Sequence, residues 1–300
     1  MPLPPLLSAA MATPLIKDRL HDRMQDLTPT ERTLASVLLR DYPVPGLQSI
    51  TKLAEQAGVS TPTVIRMARK LGFDGFPDLQ RALREEVSAQ IRKPLAKHDS
   101  WHARASTEHV LNQFAHALSA NLQDTLDRLD SASFDAVAAL LSDPVRPLFL
   151  AGGRITRSNA DYFYNHLQII RPRVTLLAQS PNVWPQSLLD MDASSVLILF
   201  DIRRYEKDIL TLADLAAARG AAIVLFTDQW GSPVTRVATH SFRAHVEAPS
   251  AWDSTIVLMY LVEALIAEVQ RRNDAGSRAR LEDLEAMFSA TRLFRGKPRT

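Results

Sequence analysis

The chain contains no cysteine in 300 residues. Disulfides, thiolate metal sites and a cysteine nucleophile are therefore excluded, and a reducing compartment is compatible though not required. No uninterrupted apolar run reaches the roughly 18 residues that a membrane span needs. The GxxxxGK[ST] loop of nucleotide hydrolases does not occur, so phosphate cradling of that kind is absent too. Lysine and arginine are missing before Lys17, and three prolines break the opening MPLPPLLSAAMA. That segment reads as a disordered leader rather than a secretory signal, with Met11 as an alternative start, and the expectation is a cytoplasmic protein with no membrane partner. What is present is enough for about two domains: 46% of residues are hydrophobic and 23% charged, too apolar for wholesale disorder.

Charge is unevenly placed. The net charge is +2, but up to His98 there are 14 Lys/Arg against 10 Asp/Glu, and beyond it 21 against 23. A basic first third hints at a polyanionic partner, although a solvated helix surface has the same appearance.

That first third has helix punctuation. Thr28-Pro29-Thr30-Glu31 is a capping box with proline at the first helical position, followed by Leu34, Val37 and Leu38 on one face up to Tyr42-Pro43. A short helix from Ser49 or Ile50 points Leu53, Ala54 and Ala57 one way, and Gly58 suits a tight turn with positive φ. Ser60 is placed to cap a third helix, Thr61 to Leu71, whose apolar stripe is Val64, Met67, Ala68 and Leu71. Thr63, Arg66, Arg69 and Lys70 fall outside the stripe. Either this is a plain helical bundle with a basic surface, or the third helix enters a major groove with its first turn against base edges. In the second reading Ser60, Thr61, Thr63, Arg66, Arg69 and Lys70 form the DNA-binding set. Arg66 takes a guanine edge, and Arg69 and Lys70 take phosphates.

The string AEQAGVSTPTVIRMARKLGFDGFPDL, from Ala54, resembles the pattern AxxAGVSxxTVxRxxRxLGFxGFxxL of RpiR-type transcriptional regulators, and the similarity runs from about Leu27 to Glu86. The resemblance implies a DNA-binding helix-turn-helix domain, double-stranded operator DNA as partner, and a sensor domain downstream.

Beyond Pro94 a polar stretch reads as a linker. His98 and His102 have the i, i+4 spacing of metal ligands, but no third ligand has an obvious place, so no metal or cofactor is expected. From Glu108 a long amphipathic helix carries Leu111, Phe114, Leu118, Leu122 and Leu126, with a second helix near Phe134 to Leu141. Strand-like runs at 148–150, 174–177, 196–200, 222–226 and 241–244 then alternate with helical ones, and an apolar helix over 255–269 comes last. Continuous apolar strands separated by helices predict a doubly wound parallel sheet. The expected fold is thus α/β with a separate all-α N-terminal domain: a helix-turn-helix bundle of three to five helices, then a flavodoxin-like five-stranded sheet. The expected divisions are leader 1–15, DNA-binding domain 16–93, linker 94–107, effector-binding domain 108–272, and a C-terminal helix with basic tail over 273–300.

In such sheets ligands bind beyond the carboxyl ends of the strands, where strand order reverses. With flavodoxin-like order, the loops concerned are Gly152-Gly153-Arg154-Ile155-Thr156-Arg157-Ser158 and Asp201-Ile202-Arg203-Arg204-Tyr205. The expected effector site comprises Gly152, Gly153, Arg154, Thr156, Arg157, Ser158, Asp201, Arg203, Arg204 and Tyr205. Glycines permit close backbone approach, a helix N-terminus favours anions, and arginine forks match carboxylate or phosphate. Alternatively, some of these arginines pair with local acids or cross a subunit interface.

This half resembles a SIS (sugar isomerase) domain from about Ser131 to Val269, in the order of its elements, the Gly-Gly loop and the segment from Ala218 to His240. One departure matters: where SIS domains carry Ser-x-Ser-Gly-x-Thr, this chain has Phe200-Asp201-Ile202-Arg203-Arg204-Tyr205-Glu206. Charge replaces hydroxyls and glycine amides, which points from a sugar phosphate toward another small anion. For catalysis, Glu206, Glu247, Glu263, His166 and His245 are available bases or acids, but none sits in a recognisable catalytic motif. The expectation is a regulator without enzymatic activity, acting as a homodimer or a dimer of dimers. The helix from Glu108 and the segment 281–293 are its candidate contact surfaces. The alternatives are a sugar-phosphate isomerase with an accessory domain, or a DNA-binding protein with an inert scaffold.

Overall fold

A computed structural model describes residues 15–40, 42–91, 97 and 108–291. They fall into two compact units, one up to residue 100 and one from residue 101. The leader up to residue 14 with Met11, the polar stretch holding His98 and His102, and the tail 292–300 lie outside the described residues. Leu15, counted above with the leader, is instead buried at the start of the first helix.

Helical punctuation builds the first unit. The capping box forms reciprocally: the Thr28 amide donates to Glu31 Oε2 at 2.8 Å, and the Glu31 amide reaches Thr28 Oγ1 at 3.4 Å. The described helices are α1 (Ile16–Asp22), α2 (Pro29–Arg40), α3 (Val44–Leu47), α4 (Ile50–Ala57), α5 (Thr61–Lys70) and α6 (Phe76–Ile91). The single turn α3 was hidden in the sequence VPGL, which reads as a break, yet its proline sits in the first turn, where no amide is needed. Gly58 ends α4 in the left-handed region at φ 62°, a conformation that costs most side chains roughly 1 kcal/mol or more. Leu20, Leu34, Leu38, Leu53, Val64, Met67, Leu79 and Leu83 form the buried core. Each contributes about 1.5–3 kcal/mol by leaving water.

The second unit opens with α7 (Val110–Leu126) and α8 (Ser131–Ser142). Strand and helix then alternate: β1 (Leu148–Gly152), α9 (Arg157–Ile170), β2 (Val174–Leu176), α10 (Trp184–Leu189), β3 (Val196–Asp201), α11 (Lys207–Ala218), β4 (Ala222–Asp228) and β5 (His240–Ala244). Helices α12 (Ile256–Arg272) and α13 (Asp274–Thr291) follow. The sheet is parallel throughout, in the order β2-β1-β3-β4-β5. Because side chains alternate across a strand, Leu148, Leu150, Ile198, Phe200 and Phe226 enter one core layer, and Phe149, Ala151, Leu197, Leu199 and Leu225 the other. This is the doubly wound, flavodoxin-like order expected from the apolar runs. Strand order reverses between β1 and β3, where Gly152 pairs in register with Phe200.

Candidate DNA-reading helix and switch-point site

Helix α5 presents its stripe as the periodicity predicts: Val64, Met67 and Ala68 are buried, while Arg66, Arg69 and Lys70 are exposed. Two details differ. Thr63, expected on the open face, is buried next to Val64 of the apolar stripe. Ser60 holds the N-cap position without capping a backbone amide; its Oγ lies instead 3.0 Å from Thr63 Oγ1. Arg66 Nη2 donates to that same Thr63 oxygen at 3.0 Å.

The other two cations of α5 are held by the unit itself. Arg69 Nε donates to the Asp74 carbonyl at 3.3 Å. Lys70 Nζ donates to Glu31 Oε2 at 2.7 Å and to the Asp26 carbonyl at 3.2 Å. Burial alone would raise the Glu31 pKa, but the hydrogen bonds from Lys70 and Thr28 outweigh it and hold the carboxyl below its ordinary value. Lys70 therefore ties α5 to the capping box of α2, a partnership that single-helix periodicity cannot reveal.

At the carboxyl ends of β1 and β3 the two predicted loops lie side by side. Gly152 is required by space, since a Cβ there would stand 2.6 Å from the Thr156 carbonyl oxygen, whereas one on Gly153 would meet the Glu206 carboxylate at 2.8 Å and displace that side chain. Thr156 is buried and donates to the Phe200 carbonyl at 2.7 Å, joining the two loops. Ser158 turns back to the Ile155 carbonyl at 3.0 Å. Arg157 pairs with Asp161 at 2.9 Å and also donates to the Leu177 carbonyl. Glu206 Oε1 accepts the Arg154 amide at 2.7 Å, so a carboxylate of the chain itself occupies the approach to the first turn of α9. Arg154 and Arg204, one on each loop, are exposed.

Arg203 is not exposed in that way. Its backbone takes φ 59°, an uncommon conformation for a residue with a side chain. Its Nε donates to Asp253 Oδ2 at 2.9 Å, its Nη2 to Glu247 Oε1 at 3.3 Å, and its guanidinium lies 3.8 Å above the Trp230 ring. Two carboxylates and an indole thus enclose it, leaving its side chain 9% exposed. Paired with acids, Arg157 and Arg203 follow the alternative stated for these arginines: Asp161 lies one turn along the same helix, whereas Asp253 and Glu247 come from far along the chain.

Asp228, at the end of β4, organises the loop. It is fully buried and accepts the Arg203 amide at 2.6 Å, the Tyr205 hydroxyl at 2.8 Å and the amides of Trp230 and Gly231. Asp201 is buried beside it, accepting from the Ser232 hydroxyl and the Glu206 amide. Burial, with the neighbouring charges of Asp228 and Glu206, pushes the Asp201 carboxyl up to about 6. Asp228 lies outside the β1 and β3 loops that strand order singles out; its signal in the sequence is an acid closing the apolar run of the next strand. Of the remaining acid and base candidates, Glu263 accepts the Tyr162 hydroxyl at 3.0 Å, and the His166 ring lies 2.9 Å from the Tyr162 carbonyl. Among the described residues no cluster of His, Asp or Glu has the form of a metal site, and no helix is long and apolar enough to cross a membrane.

Comparison with known proteins agrees with both halves. Residues 15–90 match the helix-turn-helix domain of the rpiR family, and residues 143–268 match the SIS domain. A helix-turn-helix-type transcriptional regulator of Clostridium perfringens is 21% identical over 258 residues, covering 85% of this chain and 91% of the relative. One of Haemophilus influenzae is 23% identical over 226 residues, covering 75% and 78%. The Vibrio vulnificus NanR protein, solved in complex with ManNAc-6P, is similar over 92% of this chain and 98% of its own, with a TM-score of 0.53 at 18% identity. The sugar isomerase domain of an RpiR transcription factor from Sphaerobacter thermophilus is similar over 59% and 97%, with a TM-score of 0.54 at 22% identity. With a family-type DNA-binding domain, a SIS domain and the order in which they follow one another, the chain belongs to the RpiR family.

Proposed function

We propose that this chain is a DNA-binding transcriptional regulator whose SIS domain senses a small anionic metabolite, a sugar phosphate or another carboxylate or phosphate, and thereby changes operator binding. The observation that carries the reading is that Arg66 is exposed on α5 while Arg154 and Arg204 are exposed on the two loops where strand order reverses. The related NanR protein binds ManNAc-6P, which favours a phosphorylated or acidic sugar as the effector class. The segment from Phe200 to Glu206 carries charge where other SIS domains carry hydroxyls and glycine, which favours an effector of different shape. Arg203 holds the loop through Asp253 and Glu247, so the anion falls to Arg204 and Arg154.

Effector and operator are coupled by linkage: whichever factor the effector applies to operator affinity, the operator applies to effector affinity. Action as a homodimer, or a dimer of dimers, is supported by the exposed Val110 and Leu111 on α7 and by the paired half-sites that helix-turn-helix proteins read. A cytoplasmic regulator rather than an isomerase is the reading we adopt, because the acids near the cleft are engaged in holding its loops.

Calorimetry with a panel of sugar phosphates, sugar acids, dicarboxylates and neutral sugars tests this, followed by an operator titration with the tightest binder. An anion should bind best, and Arg204→Ala should weaken it about 10- to 150-fold, the equivalent of one charged hydrogen bond. A neutral sugar as the tightest ligand, or an anion that leaves operator affinity untouched, overturns the proposal.

A further inference from the structure

Ser60, Thr63 and Arg66 stand three residues apart, on one line along the first two turns of α5. Their polar atoms form a chain: Ser60 Oγ to Thr63 Oγ1 at 3.0 Å, then Thr63 Oγ1 to Arg66 Nη2 at 3.0 Å. A guanidinium only donates, so Thr63 Oγ1 is the acceptor for Arg66, and either hydroxyl can donate in the Ser60–Thr63 bond. Thr63 is 4% exposed, which keeps it from serving as a contact surface for DNA. Its branched side chain is stiff at χ1, and packing fixes the hydroxyl. Arg66, by contrast, is exposed; an exposed arginine samples many rotamers and loses them on binding.

We propose that Thr63 is a positioning residue for sequence readout: it touches no base, and it holds the Arg66 guanidinium as a preset fork whose remaining donors face outward. The inference rests on the reading of α5 as the DNA-reading helix. Pre-orientation of one rotamer-rich side chain is worth about 2- to 10-fold in binding. That advantage is confined to the base Arg66 reads, whereas a purely structural role for Thr63 would weaken every sequence alike.

The test uses the full chain and a duplex selected by it from a random-sequence pool, with each single-base variant of that duplex. Arg66→Ala should lose about 5- to 150-fold of discrimination at one base position. Thr63→Val, which keeps shape and removes the acceptor, should lose about 2- to 10-fold at that same position and little elsewhere. Thr63→Ser should restore wild-type preference. Should Thr63→Val fail to fold, Thr63→Ala against Thr63→Ser gives the same contrast, with thermal midpoints as the check on folding. If Arg66→Ala leaves base preference unchanged, the reading of α5 falls and the inference with it. If Arg66→Ala relaxes preference but hydroxyl-free variants keep the wild-type profile, or lose affinity uniformly, only the inference falls.

Discussion

Arg66 and Arg203 are both arginines in basic stretches, and the fold treats them oppositely. Arg66 stands exposed on a helix, and its one recorded partner is Thr63, a single turn away. Arg203 sits in a strand-end loop and is enclosed by Asp253, Glu247 and Trp230, which all come from later in the chain. On a helix surface, availability is set locally by the 3.6-residue period. At the end of a parallel strand it is set by whatever the neighbouring strands and their loops deliver. The same residue type therefore reads as a ligand contact in one place and as a fastening in the other.

The sharpest way to break this contrast is to remove what fastens the loop. Asp228→Ala leaves four donors without their acceptor in a buried position, and should destabilise the α/β unit by about 3–5 kcal/mol. Urea denaturation of the full chain measures it, and a loss under about 1 kcal/mol would mean the loop is held by something else.

Next in size is a pH effect specific to the α/β unit. The Asp201 carboxyl titrates near 6 in the fold and near 3.9 when unfolded, so the native state holds the extra proton between these values. Its contribution to stability is fullest below about pH 4 and is lost as pH rises through about 6, amounting to about 3 kcal/mol at most. Asp201→Asn should flatten that part of the stability profile. An unchanged profile in the variant would assign the pH dependence to another group.

Arg203→Ala and Arg66→Ala should then separate on two axes. The first should cost about 1–3 kcal/mol of folding stability, since it strips a charged partner from Asp253. The second should cost about 1–3 kcal/mol of specific DNA binding, with stability within roughly 0.5 kcal/mol of the original. Exchange of these outcomes would reverse the assignment of the two arginines. The smallest effect is expected for Lys70→Ala. Glu31 keeps its Thr28 bonds, so about 1 kcal/mol of stability should be lost, most visibly above pH 4.5, where the paired carboxylate is ionised. The slope of DNA affinity against salt should fall by less than the roughly one unit that a phosphate contact would give.

Legibility in the sequence followed the same division. The capping box, the stripe of Val64, Met67 and Ala68, the turn at Gly58 and the apolar strands were readable because each depends on a local period or on one residue's backbone preference. The sheet order was reachable because parallel connections leave few choices. Lys70 with Glu31, and Asp228 under the Arg203 loop, were not readable: these partners stand 39 and 25 residues apart, and no local pattern marks them. Thr63 was named from the sequence as an open-face residue, but its burial was not readable, since helical phase alone does not fix how deeply the residue beside a stripe sits.

The strand order also bears on how the molecule assembles in time. Leu148 of β1 must wait for Val196 of β3 before the centre of the sheet exists, and Val196 in turn waits for Ala222 of β4. Helical units with short-range contacts collapse in microseconds to milliseconds, whereas distant parallel pairings are slow. During synthesis the N-terminal unit emerges first and domains fold as units. Refolding of the full chain should accordingly show a fast helical phase ahead of a slower one in which the sheet closes. For as long as that interval lasts, a newly made molecule would carry a formed helix-turn-helix domain with no completed SIS domain behind it.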